Sequence, residues 1–195
     1  MRFRQSRGIS LALIALQDPD ENDRGPCSMA TMKFVFIERL LNLERRVCHI
    51  YQNLAANESF AAEIRGFWRD MAEDEKQHQL ILDRSAGLLN FAAEPPDMPE
   101  ARIQEIEATV EAAEYACRRP EVTSDEALRH ALALESSELN QLDDAWLSSF
   151  HPKLTSLSNA MVPAHDIHLQ RLADAVARFS TDETLHSQAR ALLSA

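Results

Sequence analysis

The sequence has few residues that interrupt helices, with 4 glycines and 8 prolines among 195 residues. Aromatic residues are also scarce, at 6% of the chain. Strands favour aromatic and β-branched residues, whereas Ala and Leu, which are plentiful here, favour helices. The composition therefore disfavours a β-sandwich or β-barrel and predicts an all-α protein.

Cysteine is equally scarce. Cys27, Cys48 and Cys117 stand far apart, and no Cys-x-x-Cys pair occurs. An odd number of cysteines at this spacing argues against a disulfide framework, a zinc ribbon and a rubredoxin-type iron site. It is typical of a reducing compartment, and we predict a cytoplasmic protein.

Positive charge is in the minority, with 20 Lys and Arg against 31 Asp and Glu and a net charge of −11. An acidic chain has no general attraction for nucleic acid or anionic membranes. No apolar run reaches the ~18 residues of a membrane span. We therefore expect neither nucleic acid nor a membrane as a partner.

The first 30 residues show no sustained hydrophobic period. Residues 1–7 are basic and 8–16 are apolar, which loosely imitates a signal peptide, but no small-residue cleavage site follows. We predict a poorly ordered extension over 1–30, or a misplaced start codon.

From residue 31 onward, apolar residues recur at three- and four-residue steps, which indicates helices. Ser59 and Ser124 are predicted N-caps, neither with the Glu or Gln three residues later that completes a capping box. Pro163 predicts a kink in the fifth helix, or a start nearer 162. The predicted helices cover 31–56, about 59–90, 100–118, 125–149, 155–179 and 182–194.

Four of these helices are about 25 residues long, and they form two pairs separated by 91–123. Short loops join antiparallel neighbours, whereas a long connection permits a crossover. The sequence therefore predicts an antiparallel four-helix bundle over 31–180, with a helical crossover between the second and third long helices. Residues 181–195 would add a short C-terminal helix.

Each of the four long helices has acidic or imidazole side chains in the middle of its apolar stripe. Positions three, four or seven residues apart share a face of a helix, and Glu44 lies seven residues after Ile37 and seven before Tyr51. The inward-facing polar residues identified in this way are Glu44, Glu75, His78, Glu135, Glu138, His165 and His168.

A metal site explains this pattern best. Any one of these residues alone is more commonly solvated or hydrogen-bonded, but unpaired buried carboxylates are costly, and four helices repeat the pattern at one depth. Carboxylate and imidazole donors suit iron, manganese or zinc, and shared carboxylates can bridge two ions. We predict that all seven residues are ligands and that Glu75 is the best candidate for a bridge.

Other polar residues fall off these stripes, and we expect them to face outward or to fill space. Those predicted to lie outside are Glu38, Glu73, Asp74, His49, His130, His151 and His186. Cys48, one turn from Glu44, is predicted to be a small core residue.

Four motifs occur in a fixed order along the chain. Glu44 precedes Tyr51 by seven residues, and Glu75-x-x-His78, Glu135-x-x-Glu138 and His165-x-x-His168 follow. Over about 33–178 this set resembles the ferritin-like superfamily, and most of all its rubrerythrin branch. The resemblance implies two iron ions, reactivity toward peroxide or dioxygen in oxidative-stress defence or iron handling, and a homodimer.

The sequence departs from that family in two places. His165 stands where the family usually has a bridging Glu, and Asp166 lies about 100° round the helix and cannot substitute for it. This exchange removes a negative charge and predicts one strong and one weak metal position. The rubredoxin domain of rubrerythrins has no counterpart, so the resemblance implies a separate electron-donor protein. The alternatives are a non-catalytic metal-binding or iron-sequestering protein and a scaffold with a degenerate site.

Overall fold

The computed structural model describes residues 26–86, 100–137 and 152–194, with side chains for 36–84, 100–137 and 166–194. Within these ranges all regular secondary structure is helical, which confirms the all-α prediction there. Residues 1–25 of the predicted extension lie outside the described residues. The helices are α1 (Pro26–Ala56), α2 (Ala62–Ala86), α3 (Glu100–Cys117), α4 (Ser124–Glu135), α5 (Pro152–Phe179) and α6 (Glu183–Leu192).

Two helices begin earlier than the sequence predicts. The first starts at Pro26 instead of 31, and α5 starts at Pro152 instead of 155 or 162. Proline suits the first helical position because its fixed φ matches the helix and its missing N–H would have no partner there. Pro163 lies within α5, which continues through it, so a start near 162 is wrong.

The N-cap of α2 is not Ser59. The helix starts at Ala62, and the Arg65 amide donates to the Ala61 carbonyl at 3.1 Å. The Ser59 hydroxyl is instead hydrogen-bonded to Asn57 Oδ1 at 2.7 Å, within the connection between α1 and α2. A local side-chain hydrogen bond of this kind stabilises a turn instead of a helix end.

The N-cap of α4 is Thr123, one residue before the predicted Ser124. Glu126 then becomes the third helical residue, and the two side chains form the capping box that the sequence analysis had excluded. The Glu126 amide donates to Thr123 Oγ1 at 3.2 Å, and the Thr123 amide donates to Glu126 Oε2 at 2.9 Å. A shift of one residue in the cap therefore decides whether a box exists.

Replacing Thr123 with alanine is expected to lower the unfolding free energy by about 1 kcal/mol, because the helix loses its N-cap acceptor. Urea unfolding of the two proteins measures this difference. Ser124→Ala serves as the control and should change the unfolding free energy by a few tenths of a kcal/mol at most. A larger loss in the Ser124 variant would show that the cap has been misplaced.

The helix that begins at Ser124 ends sooner than predicted. Residues 136 and 137 form a turn after Glu135, so the predicted continuous helix over 125–149 is wrong at this point. The Ser136 and Ser137 hydroxyls donate to the carbonyls of Leu132 and Leu134 at 2.7 and 2.5 Å. Serine side chains bonded to backbone carbonyls in this way compete with the continuation of a helix. Residues 138–149 lie outside the described residues.

The first two helices pack against each other in opposite directions. Cys48 Sγ contacts the Ala72 carbonyl at 3.4 Å, and further along, Gln79 Nε2 donates to the Glu44 carbonyl at 3.3 Å. Residue numbers rise on one helix as they fall on the other, so α1 and α2 are antiparallel. Their shared face supplies much of the hydrophobic core.

The third helix runs parallel to α1, and arginine–glutamate pairs fix its register. Arg39 Nε donates to Glu107 at 2.6 Å, and seven residues later Arg46 Nη2 donates to Glu114 at 3.0 Å. These pairs are half-buried, and both arginines have raised pKa values because of hydrogen bonds to glutamate. The chain therefore returns along α1 between α2 and α4.

The remaining helices pack on the other side of the core. The fourth runs back toward the middle of α1, since Asn57 lies near Pro120 and Tyr51 contacts Glu135. The fifth is antiparallel to α4. Its C-terminal end leads into α6, whose N-cap Asp182 pairs with Arg129 at 3.0 Å. Among the described residues, no helix combines the length and apolarity that a membrane span requires.

Candidate metal centre

Three helices and the end of a fourth bring predicted ligands together. Five of the seven have described side chains, and all five are buried: Glu44 on α1, Glu75 and His78 on α2, Glu135 on α4 and His168 on α5. Their exposed fractions run from 0% for Glu44 to 8% for Glu135. The inward direction predicted from helical phase is therefore correct for these five residues.

Glu75 lies at the centre of this cluster, and its two oxygens face different neighbours. Oε2 lies 3.2 Å from His78 Nδ1, whereas Oε1 lies 3.5 Å from His168 Nε2. Glu44 Oε2 lies 3.9 Å from His78 Nδ1 on the first side, and Glu135 Oε1 lies 2.9 Å from His168 Nε2 on the second.

The five residues therefore form two overlapping triads. One consists of Glu44, Glu75 and His78, and the other of Glu75, Glu135 and His168. In each triad one donor atom per residue lies within 4.8 Å of the others, close enough to hold a metal ion. Two ligands that bind one tetrahedral ion at ~2.0–2.1 Å are about 3.4 Å apart. The separations of 2.9 to 3.9 Å around Glu75 match that spacing.

The metal-free cluster carries more carboxylates than imidazoles, and their pKa values diverge. Burial and the neighbouring Glu135 charge raise the pKa of Glu75 to about 7. Burial acts in the same direction on Glu135, but the His168 charge and hydrogen bonds from His168 and Tyr51 outweigh it and lower the pKa to about 2. Glu135 thus stays ionised, while Glu75 keeps, below about pH 7, a proton that a cation can displace.

His168 is the cationic partner of Glu135. Burial acts to lower the pKa of His168, but the Glu135 charge and hydrogen bonds to Asp74 and Glu135 raise it well above its ordinary value. The imidazole is therefore protonated in the metal-free protein. Because a metal ligand needs a free nitrogen, binding at Nε2 requires the loss of one proton.

Tyr51 extends the cluster toward the hydrophobic core. Its hydroxyl donates to Glu135 Oε1 at 2.8 Å, and its ring is stacked on Trp68 with the centroids 5.7 Å apart. Both aromatic side chains are fully buried. Burial and the charges of Glu135 and Glu75 raise the pKa of Tyr51 well above its ordinary value, so the phenol keeps its proton.

Asp74 is a member of this polar network that helical phase alone does not reveal. It was predicted to face outward because it is about 100° round α2 from Glu75, but it is half-buried. Its Oδ2 lies 3.2 Å from His168 Nδ1 and accepts a hydrogen bond from Arg171. Both partners lie on α5, 94 and 97 residues away in sequence, so no local pattern could have indicated the contact.

Glu138 and His165 are the other two predicted ligands. Glu138 lies outside the described residues, and His165 lies in the part of α5 whose side chains are not described. Cys48 is buried, as predicted for a core residue, and burial raises the pKa of its thiol.

Comparison with known proteins gives no match. No family model, no curated protein and no solved structure is similar to this chain. The likeness to the rubrerythrin branch therefore depends on the four motifs alone. The geometry establishes a buried Glu/His cluster that could hold a metal ion.

Proposed function

We propose that this chain is a ferritin-like protein that binds two metal ions, with iron as the expected metal and manganese or zinc as alternatives. The observation that carries the proposal is the position of Glu75. Each of its two oxygens faces one of the two triads, which is the arrangement that a bridging carboxylate requires.

The directions of the helices support a ferritin-like bundle. In this proposal α1, α2, α4 and α5 form the four-helix bundle, and α3 is the crossover, because it returns along α1 before α4 begins. Successive core helices are antiparallel within each pair. Metal sites in such bundles are built from inward-facing side chains on facing helices, as the proposed ligands would be here.

The charges of the donor set also support two divalent cations. Glu44, Glu75 and Glu135 offer three buried carboxylates, and His78 and His168 offer imidazole nitrogens. Three negative charges without cations would be strongly unfavourable at this depth, and the raised pKa of Glu75 reflects that cost. Two divalent ions would compensate these charges.

A bound iron pair would supply one-electron redox chemistry toward peroxide or dioxygen. The protein's own residues would hold that pair in a site shielded from bulk water, since every described ligand is buried. Tyr51 places a hydroxyl 2.8 Å from Glu135 Oε1 and fixes the direction of that carboxylate. The same hydroxyl is a hydrogen-bond donor beside the site.

Metal sequestration without turnover is the second candidate. The burial of all five described ligands favours it, because a closed site retains an ion and slows the entry of a substrate. A homodimer and an external electron-donor protein remain proposals that accompany the redox function.

Metal analysis of protein purified without chelators or metal-affinity resin tests the proposal. We expect two ions per chain, and consumption of hydrogen peroxide when a chemical reductant is supplied. Bound metal without peroxide or dioxygen turnover would select sequestration. Absence of metal after reconstitution with Fe²⁺, Mn²⁺ and Zn²⁺, with and without air, would defeat both candidates.

A further inference from the structure

The imidazole of His168 is held from both sides. Its Nδ1 lies 3.2 Å from Asp74 Oδ2, and its Nε2 lies 2.9 Å from Glu135 Oε1 and 3.5 Å from Glu75 Oε1. Because Nδ1 donates its hydrogen to Asp74, Nε2 is the nitrogen directed at the carboxylates of the triad. The Asp74 contact thus determines which nitrogen would face a metal.

Arg171 in turn holds Asp74. It lies three residues after His168, about one turn along α5, and its Nη1 donates to the same Asp74 oxygen. The exposed fractions of the Asp74 and Arg171 side chains are 28% and 33%, so the pair lies at the edge of the core. Arg171 thus fixes the position of the carboxylate that orients the imidazole.

Within the described ranges, no outer carboxylate of this kind lies behind His78. Among the described side chains, the carboxylates within ion-pair distance of His78 are those of Glu44 and Glu75, which belong to its own triad. The two imidazoles of the cluster therefore differ in the carboxylate that lies behind the ring. An outer carboxylate fixes the tautomer of a ligating histidine and raises its basicity, and its loss typically costs 10–100-fold in metal affinity.

We propose that Asp74, held by Arg171, is a positioning residue that makes the Glu75–Glu135–His168 triad the stronger of the two metal positions. This inference rests on the proposed metal-binding function. It adds the order in which the positions fill: the His168 position first and the His78 position second.

Titration of metal-free protein with Co²⁺, followed by visible absorption, tests the order. Wild type should show two binding steps. In Asp74→Ala the tighter step should weaken 10–100-fold, whereas the weaker step should change little. Asp74→Asn keeps an acceptor oxygen, so the affinity of its tighter step should lie between those of wild type and Asp74→Ala. Glu73→Ala is the matched control because Glu73 precedes Asp74, is 59% exposed and pairs with Lys76, so both steps should stay unchanged.

Nitrogen-15 NMR of the histidine side chains in metal-free protein gives a second measurement. A general loss of stability would not by itself change these chemical shifts. The His168 Nδ1 signal should report a strong hydrogen bond in wild type and lose it in Asp74→Ala, while the His78 signals stay in place. Asp74→Asn provides the comparison if the alanine variant does not fold.

The outcomes separate this inference from the proposed function. A wild type that binds no Co²⁺ would contradict both. Two binding steps in wild type, with an unchanged tighter step in both Asp74 variants, would overturn the positioning role alone. An equal loss in both steps would also overturn it, because it would show a general structural effect.

Discussion

Glu75→Gln is expected to reduce the metal content from two ions per chain to fewer than one. The amide keeps the size of the side chain but removes its charge and replaces one oxygen with a nitrogen that does not bind metal. Since Glu75 belongs to both triads, one position would lose its donor atom and the other would keep only a neutral amide oxygen. No other single substitution among the described residues would damage both positions in this way.

Glu73→Gln is the control for this measurement, because it makes the same chemical change on an exposed face of the same helix. Glu44→Gln and Glu135→Gln should each remove about one ion, since each residue belongs to one triad. Unchanged stoichiometry in Glu75→Gln would refute the assignment of the bridge, even if the protein binds metal.

The metal-free protein is expected to be less stable at pH 8 than at pH 5. The pKa of Glu75 is about 7 in the folded protein, against 4.5 for an ordinary carboxyl group, so folding favours its protonated form. The stability it contributes is complete below about pH 4.5 and is lost as the pH rises through 7. The difference corresponds to roughly 3 kcal/mol of unfolding free energy.

The neighbouring groups do not cancel this trend. The pKa of His168 is raised, so its contribution is complete below its ordinary value of 6.5 and is lost as the pH rises through the higher folded value. The pKa of Glu135 is lowered to about 2, so its contribution is constant above pH 4.5 and is lost only in acid. With the contributions of His168 and Glu135 included, the unfolding free energy is therefore still expected to fall from pH 5 to pH 8.

Denaturant unfolding of chelator-treated protein across this pH range provides the measurement. Glu75→Gln should flatten the decline, because the group that titrates near 7 is gone. Glu75→Leu should equal or exceed the wild-type stability at pH 8, as replacing a buried ionised group with an apolar side chain often does by about 1–4 kcal/mol. A decline as large as that of wild type in both variants would assign the effect to another group.

The sequence predicted the inward direction of the described candidate ligands well. Glu44, Glu75 and His168 lie on apolar stripes whose spacing depends only on the 3.6-residue period of a helix, and that period is fixed by backbone geometry. Each stripe must be buried for the chain to fold, so the polar residues within it are buried too.

The exact ends of the helices were harder to predict, because neighbouring residues compete for the same capping hydrogen bonds. Thr123 and Ser124 are both good N-caps, and the choice depends on which of them can pair with a Glu three residues later. The end of α4 depends on Ser136 and Ser137, whose hydroxyls bond to backbone carbonyls. Such alternatives differ by about 1 kcal/mol or less, and surrounding packing decides among them.

By itself, the sequence determined the helical class and the inward direction of five polar side chains, because both depend on composition and on spacing along one helix. Only the tertiary structure decided which inward side chains meet. The separate directions of the two Glu75 oxygens and the contact of Asp74 with His168 depend on how α2 and α5 are placed side by side. That placement results from packing between residues far apart in the chain, which no periodicity within a single helix encodes.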